Sequence, residues 1–436
     1  MQKRASIHTL GCRLNQAESL IIRNQLEDEG YTIVPYGDPA DLGIINTCTV
    51  TREADAKCRQ IIRKFIRTNP EAFTAVLGCY SQMGAKMLSS IKGVDLILGN
   101  QDKLDVLDFA KAGKNEHPLI IRDKIDKTDF SIQFVGNIPY NKRANLKVQE
   151  GCNFMCSFCI IPFARGRSRS RDWDNMIEEA HNLVSCGVRE LILTGINIGT
   201  YDNKEHTIVD MCDELNNIEG LLRVRISSIE PTTVPLELLN RMADPAHVLV
   251  PYLHLPIQAC NDHILAEMRR KYTVEEYLEF ANEALKRVPD LCLGTDIMVG
   301  FPGETEKEFE NTCRFFQEES FTYCHVFPFS ERDGTQIMRR KDVEFVPVRE
   351  RQKRANYLRR LSAIKQRNYL EKHLGKEMEV LFEDPKPDHW PGYTENYIRV
   401  ISRHETEDLT NRLARVRLDS LHGDFIEGTV LEILSD

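Results

Sequence analysis

Gly151-Cys152-Asn153-Phe154-Met155-Cys156-Ser157-Phe158-Cys159 sets three cysteines apart by three and then two residues, directly after the strand-like run 146–149. Such spacing bends one short loop around a single metal centre. Zinc in a closed structural site takes four ligands, and no fourth Cys or His follows within the reach of a zinc knuckle. Three thiolates on a four-iron cluster leave one iron open, and an open iron can chelate the amino and carboxylate groups of a methionine such as that of S-adenosylmethionine. The alternative is three cysteines packed as small hydrophobes. It conflicts with the Gly-Cys-Asn turn that exposes the first of them, because turn residues rarely sit in a core.

Around this loop lie 436 residues, 42% of them hydrophobic, enough for roughly three domains of about 150 residues with cores of their own. Thirteen cysteines without a signal peptide indicate a reducing compartment, where clustered cysteines mean metal or catalysis. A cytoplasmic location is expected, and no membrane partner, since no uncharged apolar stretch approaches a membrane span. A net charge of −9 argues against nucleic acid, but its distribution argues for it. Residues 349–367 carry eight Lys or Arg against Glu350, and 52–67 carry six against Glu53 and Asp55. Arg165, Arg167, Arg169 and Arg171 alternate just behind the cysteine loop. A single basic run is usually a solvated helix face; three, one beside the metal loop, point to RNA phosphates.

The fold class expected is α/β. Residues 1–111 read as a small domain with a parallel sheet, its strands at 7–10, 42–45, 74–77 and 94–98 and its helices at 18–29 and 52–67. Cys12, Cys48 and Cys79 each fall just past one of these strands. Strands of an open α/β sheet share one carboxyl edge, so a second three-thiolate site is expected there. Residues 112–140, with Pro118, Gly136 and Pro139, read as a linker. Within 141–370, strands at 146–149, 190–194, 223–227, 252–256, 291–299 and 322–328 alternate with helical patterns, as in a partial (β/α)6 barrel. The active site of such a barrel lies at the carboxyl ends of its strands, which here carry Gly195, Asn197, Ser228, Glu230, His254, Gln258 and Asp296. Asn197, Glu230 and Gln258 suit ribose hydroxyls or an ammonium group. Glycines such as those in Gly300-Phe301-Pro302-Gly303-Glu304 let a cofactor approach the backbone. The plainer alternatives are a core histidine at 254 and a turn that starts the helix at Thr305. After the basic helix, 371–436 change to an antiparallel pattern at 378–382, 397–402, 412–418 and 425–433, punctuated by Gly392, Gly423 and Gly428. This reads as a small OB-like β-barrel with Arg399, Arg403, Arg412, Arg415 and Arg417 available to RNA.

With Phe158 ahead of its last cysteine, the CxxxCxxC loop resembles that of radical S-adenosylmethionine enzymes, and the order of all the motifs resembles the methylthiotransferase family. That family joins an N-terminal domain with three cluster cysteines, a radical S-adenosylmethionine core and a C-terminal TRAM domain. Thr9-Leu10-Gly11-Cys12-Arg13-Leu14-Asn15, Pro162-Phe163-Ala164-Arg165-Gly166 with Ser168-Arg169-Ser170-Arg171, and Gly392-Tyr393-Thr394-Glu395-Asn396-Tyr397 resemble the branch acting on threonylcarbamoyladenosine in tRNA, beside the anticodon. Sister branches act on isopentenyladenosine in tRNA or on an aspartate of a ribosomal protein.

The resemblance implies two 4Fe-4S clusters, S-adenosylmethionine as methyl donor and radical source, and tRNA, through its anticodon stem-loop, as partner. It also implies an external electron donor and a sulfur source. The carbon 2 C–H bond of adenine has no acidic proton, so a general base cannot open it and a radical can. By the resemblance, Cys152, Cys156 and Cys159 hold the cluster that generates that radical, with Phe158 beside the cofactor. Cys12, Cys48 and Cys79 hold the one that carries the sulfur to be methylated. Arg165 is the expected contact for the threonylcarbamoyl carboxylate. Of the contrasting class, an iron–sulfur electron carrier would not need a six-strand core, and an RNA-binding protein with structural metal would not need an open iron.

Overall fold

The computed structural model describes residues 3–111, 113–132, 143–403 and 407–434. Its N-terminal sheet has six parallel strands in the spatial order Thr32–Ile33, Arg4–Thr9, Leu42–Thr47, Phe73–Gly78, Leu96–Leu98, Leu119–Ile121. Leu42–Thr47 is buried along its whole length, as a central parallel strand covered on both faces requires. Helix Arg13–Asp28 covers one face through Ile22 and Leu26. Helices Arg52–Thr68 and Cys79–Ser89 cover the other through Ile62, Phe65 and Leu88. A Cβ on Gly43 would stand 2.0 Å from the Phe65 ring, so glycine is what lets that helix approach its strand.

The strand Leu119–Ile121 falls inside the stretch expected to be linker. At three residues it is too short to show a period, and two of its apolar side chains, Leu119 and Ile120, stay exposed. Gly136, Pro139 and the boundary near 141 lie outside the described residues.

Six further strands run in chain order through the central domain: Arg143–Lys147, Glu190–Thr194, Arg223–Ile226, Tyr252–His254, Cys292–Val299 and Tyr323–Pro328. They form two parallel three-stranded halves, joined by a bridge between Val224 and Leu249. One apolar core fills the curved sheet and extends to Ala355 and Leu358 of the long helix Val348–Glu371. That helix is fixed on the last strand by Ser362, whose Oγ accepts from Cys324 N and donates to Cys324 O, both at 2.9 Å. Its basic run is therefore only partly available to RNA. Arg351 and Arg354 are buried, paired with Glu331 (3.0 Å) and Glu304 (2.6 Å).

The last domain is a closed barrel of five strands, one more than expected, in the order Glu377–Phe382, Trp390–Thr394, Arg399–Ser402, Phe425–Ile433, Leu413–His422. The extra strand, Trp390–Thr394, contains Gly392, which reads from the sequence as punctuation between strands. A Cβ on Gly392 would meet Val380 at 2.7 Å and Leu381 O at 2.8 Å, so this glycine serves close strand packing.

Candidate metal centres and the chamber beside the N-terminal one

In a doubly wound sheet the ligand crevice lies at the carboxyl ends of the strands where their order reverses, here between Arg4–Thr9 and Leu42–Thr47. Cys12 follows the first of these strands, Cys48 the second, and Cys79 the neighbouring Phe73–Gly78. Gly11 holds φ +97°, and a Cβ on it would come within 2.8 Å of the Cys48 Cβ, so the two loops touch. Asn15 ties them together by donating to Leu10 O (2.7 Å) and Thr47 O (3.0 Å). Burial, with the neighbouring thiols of Cys79 and Cys12 adding to it, pushes the Cys48 thiol up to about 12.

At the second centre, Gln149–Glu150 pairs antiparallel with Arg169–Ser170 and closes the base of the cysteine loop. Gly151 takes φ +71° where a Cβ would lie 2.0 Å from Arg167 O. Met155, at φ +53°, turns the chain between Cys152 and Cys156 in a conformation uncommon for a residue with a side chain. Ser157 N donates to Met268 O (3.0 Å), and Arg270 Nη1 donates to Cys156 Sγ (3.4 Å). Phe158 packs edge-on against Phe301. Burial first, and then the Cys156 thiol, pushes Cys159 up to about 12.

A zinc–thiolate bond of about 2.3 Å puts ligand sulfurs roughly 3.8 Å apart. Among the described residues, the one group of three metal-ligating side chains whose ligand atoms all lie within 4.8 Å of one another is His254, Asp296 and His325. The all-thiolate donor set of both cysteine triads suits iron–sulfur.

Between the N-terminal domain and the barrel lies a chamber of about 810 Å³, lined by Cys12, Cys48, Gly195, Ser228, Asp296 and Tyr397 among others. Asp296 accepts from His254 Nε2 at 2.9 Å, with His325 Nδ1 at 3.5 Å. Burial would raise its carboxyl, but the two histidines hold it at about 2.

Comparison with known proteins fits this geometry. The radical SAM superfamily matches residues 146–316, and the uncharacterized protein family UPF0004 matches 4–99. The threonylcarbamoyladenosine tRNA methylthiotransferase MtaB of Bacillus subtilis is 36% identical over 99% of this chain and 97% of its own. Its Aquifex aeolicus counterpart is 34% identical over 95% and 99%. The chain belongs to the radical S-adenosylmethionine methylthiotransferase family. A tRNA-2-methylthio-N(6)-dimethylallyladenosine synthase from Clostridium novyi is 34% identical over 88% and 86%. Among solved structures, the cobalamin-bound radical S-adenosylmethionine methyltransferase TsrM from Kitasatospora setae superposes with a TM-score of 0.54 at 14% identity, over 75% of both chains, and shares the fold.

As a methylthiotransferase, the chain is an enzyme that works with S-adenosylmethionine and a 4Fe-4S cluster. The barrel residues expected at the cofactor divide into those with a free group and those already engaged. Asn197 Oδ1 accepts from Thr233 Oγ1 (3.0 Å), while its buried Nδ2 has no hydrogen-bond partner among the described residues. Gln258 sits at φ +70°, a strained backbone of the kind found at functional sites. Gly195 leaves room for Gln149, whose Oε1 a Cβ would approach to 2.9 Å. Glu230 is spoken for, since its carboxylate pairs with Arg270. Gly300 faces Arg351, 2.4 Å from where its Cβ would be, so this glycine turn serves the long helix rather than a cofactor.

Arg165, expected to contact the substrate, turns inward instead. Its guanidinium is fully buried and paired with Glu150 (2.6 Å) and Glu18 (3.0 Å). Glu18 also meets Lys147 at 2.9 Å and, closer still, Lys103. This network joins helix Arg13–Asp28 to the barrel, and its cations hold Glu18 well below the usual carboxylate range against the pull of burial. Arg169 and Arg171 are buried as well, leaving Arg167 exposed. Each of the five arginines nominated on the C-terminal barrel has an acidic partner: Asp424, Asp388, Glu407, Glu432 and Asp419 in turn. Sequence reasoning missed Arg270 and His325, which sit in no spacing pattern, and the contact between the motif residues Arg13 and Tyr397. The φ of +65° that presents Tyr397 has no signature in its side chain.

Proposed function

We propose that this enzyme methylthiolates carbon 2 of threonylcarbamoyladenosine beside the anticodon of tRNA, with two 4Fe-4S clusters on Cys12, Cys48, Cys79 and on Cys152, Cys156, Cys159. The observation that carries the reading is the chamber, which presents Cys12 and Cys48 on one wall and the carboxyl ends of the barrel strands on the other. Cys152, Cys156 and Cys159 would hold a cluster that supplies one-electron chemistry to S-adenosylmethionine, and Cys12, Cys48 and Cys79 one that supplies a seat for sulfur. The chain does the rest. Arg270 donates to the sulfur of Cys156 and pairs with Glu230, fixing the cluster loop against the fourth strand's loop through Pro256 O (3.1 Å). Asn197 offers its free amide to the cofactor. The Glu18 network holds the sulfur-delivering wall at a fixed separation from the radical-generating one. The C-terminal barrel, read as a TRAM domain, and the exposed cations of helix Arg52–Thr68 would receive the tRNA backbone.

An electron donor and a sulfur source would come from outside the chain. No described helix is long and apolar enough to cross a membrane, in keeping with a cytoplasmic tRNA enzyme. The test is mass spectrometry of tRNA nucleosides from cells with and without the gene, paired with iron and sulfide analysis of the anaerobically reconstituted protein. The expected outcome is loss of the methylthio derivative of threonylcarbamoyladenosine, and two four-iron clusters per chain. Loss of the isopentenyladenosine derivative instead would move the enzyme to the sister activity, which the Clostridium relative's name represents.

A further inference from the structure

With Arg165 buried, the carboxylate of a threonylcarbamoyl group needs another cation, and the chamber offers one. Of its lining residues, among those described, only Arg13 carries a permanent positive charge. The chamber's carboxylate, Asp296, is already engaged by His254 and His325. Among the described residues Arg13 meets no carboxylate; its Nη2 donates to Tyr397 OH at 2.8 Å.

Tyr397 reaches in from the C-terminal barrel on a backbone at φ +65°. A bulky residue holds that conformation only where its surroundings over-determine it. They do so here: the ring stacks on Tyr393 (4.9 Å), leans on Tyr252 (5.0 Å) and lies under the Arg225 guanidinium (4.6 Å). The phenol is thus a fixed acceptor that aims Arg13, leaving the rest of the guanidinium's donors to a ligand.

Position along the chain adds the chemical argument. Carbons 2 and 6 of adenine flank the same ring nitrogen, so a group on the 6-amine extends along the edge of the ring that receives the sulfur. The cation that reads this group must therefore stand beside the sulfur-delivering centre, and Arg13 directly follows Cys12.

We propose that Arg13, aimed by Tyr397, binds the carboxylate of the threonylcarbamoyl side chain and so decides which modified adenosine is accepted. This inference rests on the threonylcarbamoyladenosine reading. A half-buried charge-assisted pair of this kind gives discrimination of about 10²-fold against a neutral analogue.

The experiment uses the reconstituted full chain and three anticodon stem-loops, bearing threonylcarbamoyladenosine, its methyl ester, or isopentenyladenosine. The intact enzyme should prefer the acid to the ester by about 10²-fold in kcat/KM. Arg13→Gln should bring that ratio close to one, and Arg13→Lys should restore part of it, with iron content equal to the intact enzyme's. Tyr397→Phe, which keeps the charge and loses the aim, should raise KM for the acid several-fold more than it lowers kcat. That variant carries the test if Arg13→Gln proves short of iron. Equal rates for acid and ester in the intact enzyme overturn the proposal, as does an acid preference unchanged in iron-replete Arg13→Gln. An intact enzyme that accepts only isopentenyladenosine overturns the underlying substrate reading instead.

Discussion

Cys152, Cys156 and Cys159 fall within eight residues on one loop, whereas Cys12, Cys48 and Cys79 span 68 residues and meet only because three parallel strands end at one edge. The first centre is built by local geometry, through Gly151, Met155 and the short ladder of Gln149–Glu150 with Arg169–Ser170. The second is built by topology, through a strand order that reverses between Arg4–Thr9 and Leu42–Thr47. A local centre tolerates disturbance elsewhere in the chain. A topological one depends on the whole sheet and on how that sheet docks.

Removing one thiol from each centre breaks this comparison most directly. Cys156→Ala should abolish both cleavage of S-adenosylmethionine to 5′-deoxyadenosine and formation of methylthio product. Cys48→Ala should still cleave S-adenosylmethionine yet give no product, since only sulfur delivery is disturbed. Chromatography of both products after anaerobic turnover reads the two outcomes. A Cys48→Ala enzyme that modifies tRNA normally would falsify the division of labour between the centres.

Docking supplies the next largest effect. Glu18 compensates Arg165, Lys147 and Lys103 at a fully buried site, so Glu18→Ala leaves cations buried without their shared partner. Breaking such a network costs about 3–5 kcal/mol, readable as a lower urea midpoint. Iron should be lost first from the N-terminal centre. Equal loss from both centres would mean that the barrel loop leans on this network as much as the sheet does.

The same network shows where the sequence stops being readable. The cysteine loop was legible as a candidate centre because its three cysteines are neighbours. The N-terminal triad was legible because each cysteine follows an apolar run and a small or polar residue, a pattern that marks the end of a parallel strand. Arg165 was not, because its partner Glu18 lies 147 residues away, and the alternation of Arg165, Arg167, Arg169 and Arg171 looks the same whether it faces phosphate or core. Three of those four arginines turn inward. Trp390–Thr394 was missed for a related reason, since Gly392 is required by cross-strand packing, which composition does not separate from a turn.

Acid provides a subtler probe of the two regions. Asp296 in the chamber and Glu150 at the base of the cysteine loop both have carboxyls held at about 2. At Asp296 burial is outweighed by the histidines, and at Glu150 by Lys147 and Arg165. Because both ionise more readily folded than unfolded, the stability they add is complete above about pH 4.5. It declines as pH falls and is gone once pH passes below about 2. Asp296 should account for about 2 kcal/mol of that decline. Urea unfolding at pH 6 and pH 3 should show a smaller difference for Asp296→Asn than for the intact protein. An identical difference would mean that the chamber histidines do not hold this carboxylate.

The smallest effects are expected at the surface proposed to meet tRNA, where two basic regions are candidates for the same role. On helix Arg52–Thr68, Arg63, Lys64 and Arg67 are exposed and have no carboxylate partner among the described residues. On the C-terminal barrel, Arg415 and Arg417 are paired with Glu432 (2.8 Å) and Asp419 (2.6 Å). A cation already neutralised by a neighbouring carboxylate displaces fewer counterions when it meets a phosphate. An unpaired one contributes close to a full unit to the slope of log K against log salt. Alanine at Arg63, Lys64 and Arg67 together should therefore flatten that slope by roughly two to three units and weaken every tRNA alike. Arg415→Ala should change affinity by less than about twofold and stability by under roughly 0.5 kcal/mol, as exposed ion pairs usually do. Titration of binding against potassium chloride separates the two regions. A larger loss of slope from the barrel arginines would show that their acidic partners give way to phosphate, and that the C-terminal barrel, not the helix, is the main seat of the tRNA backbone.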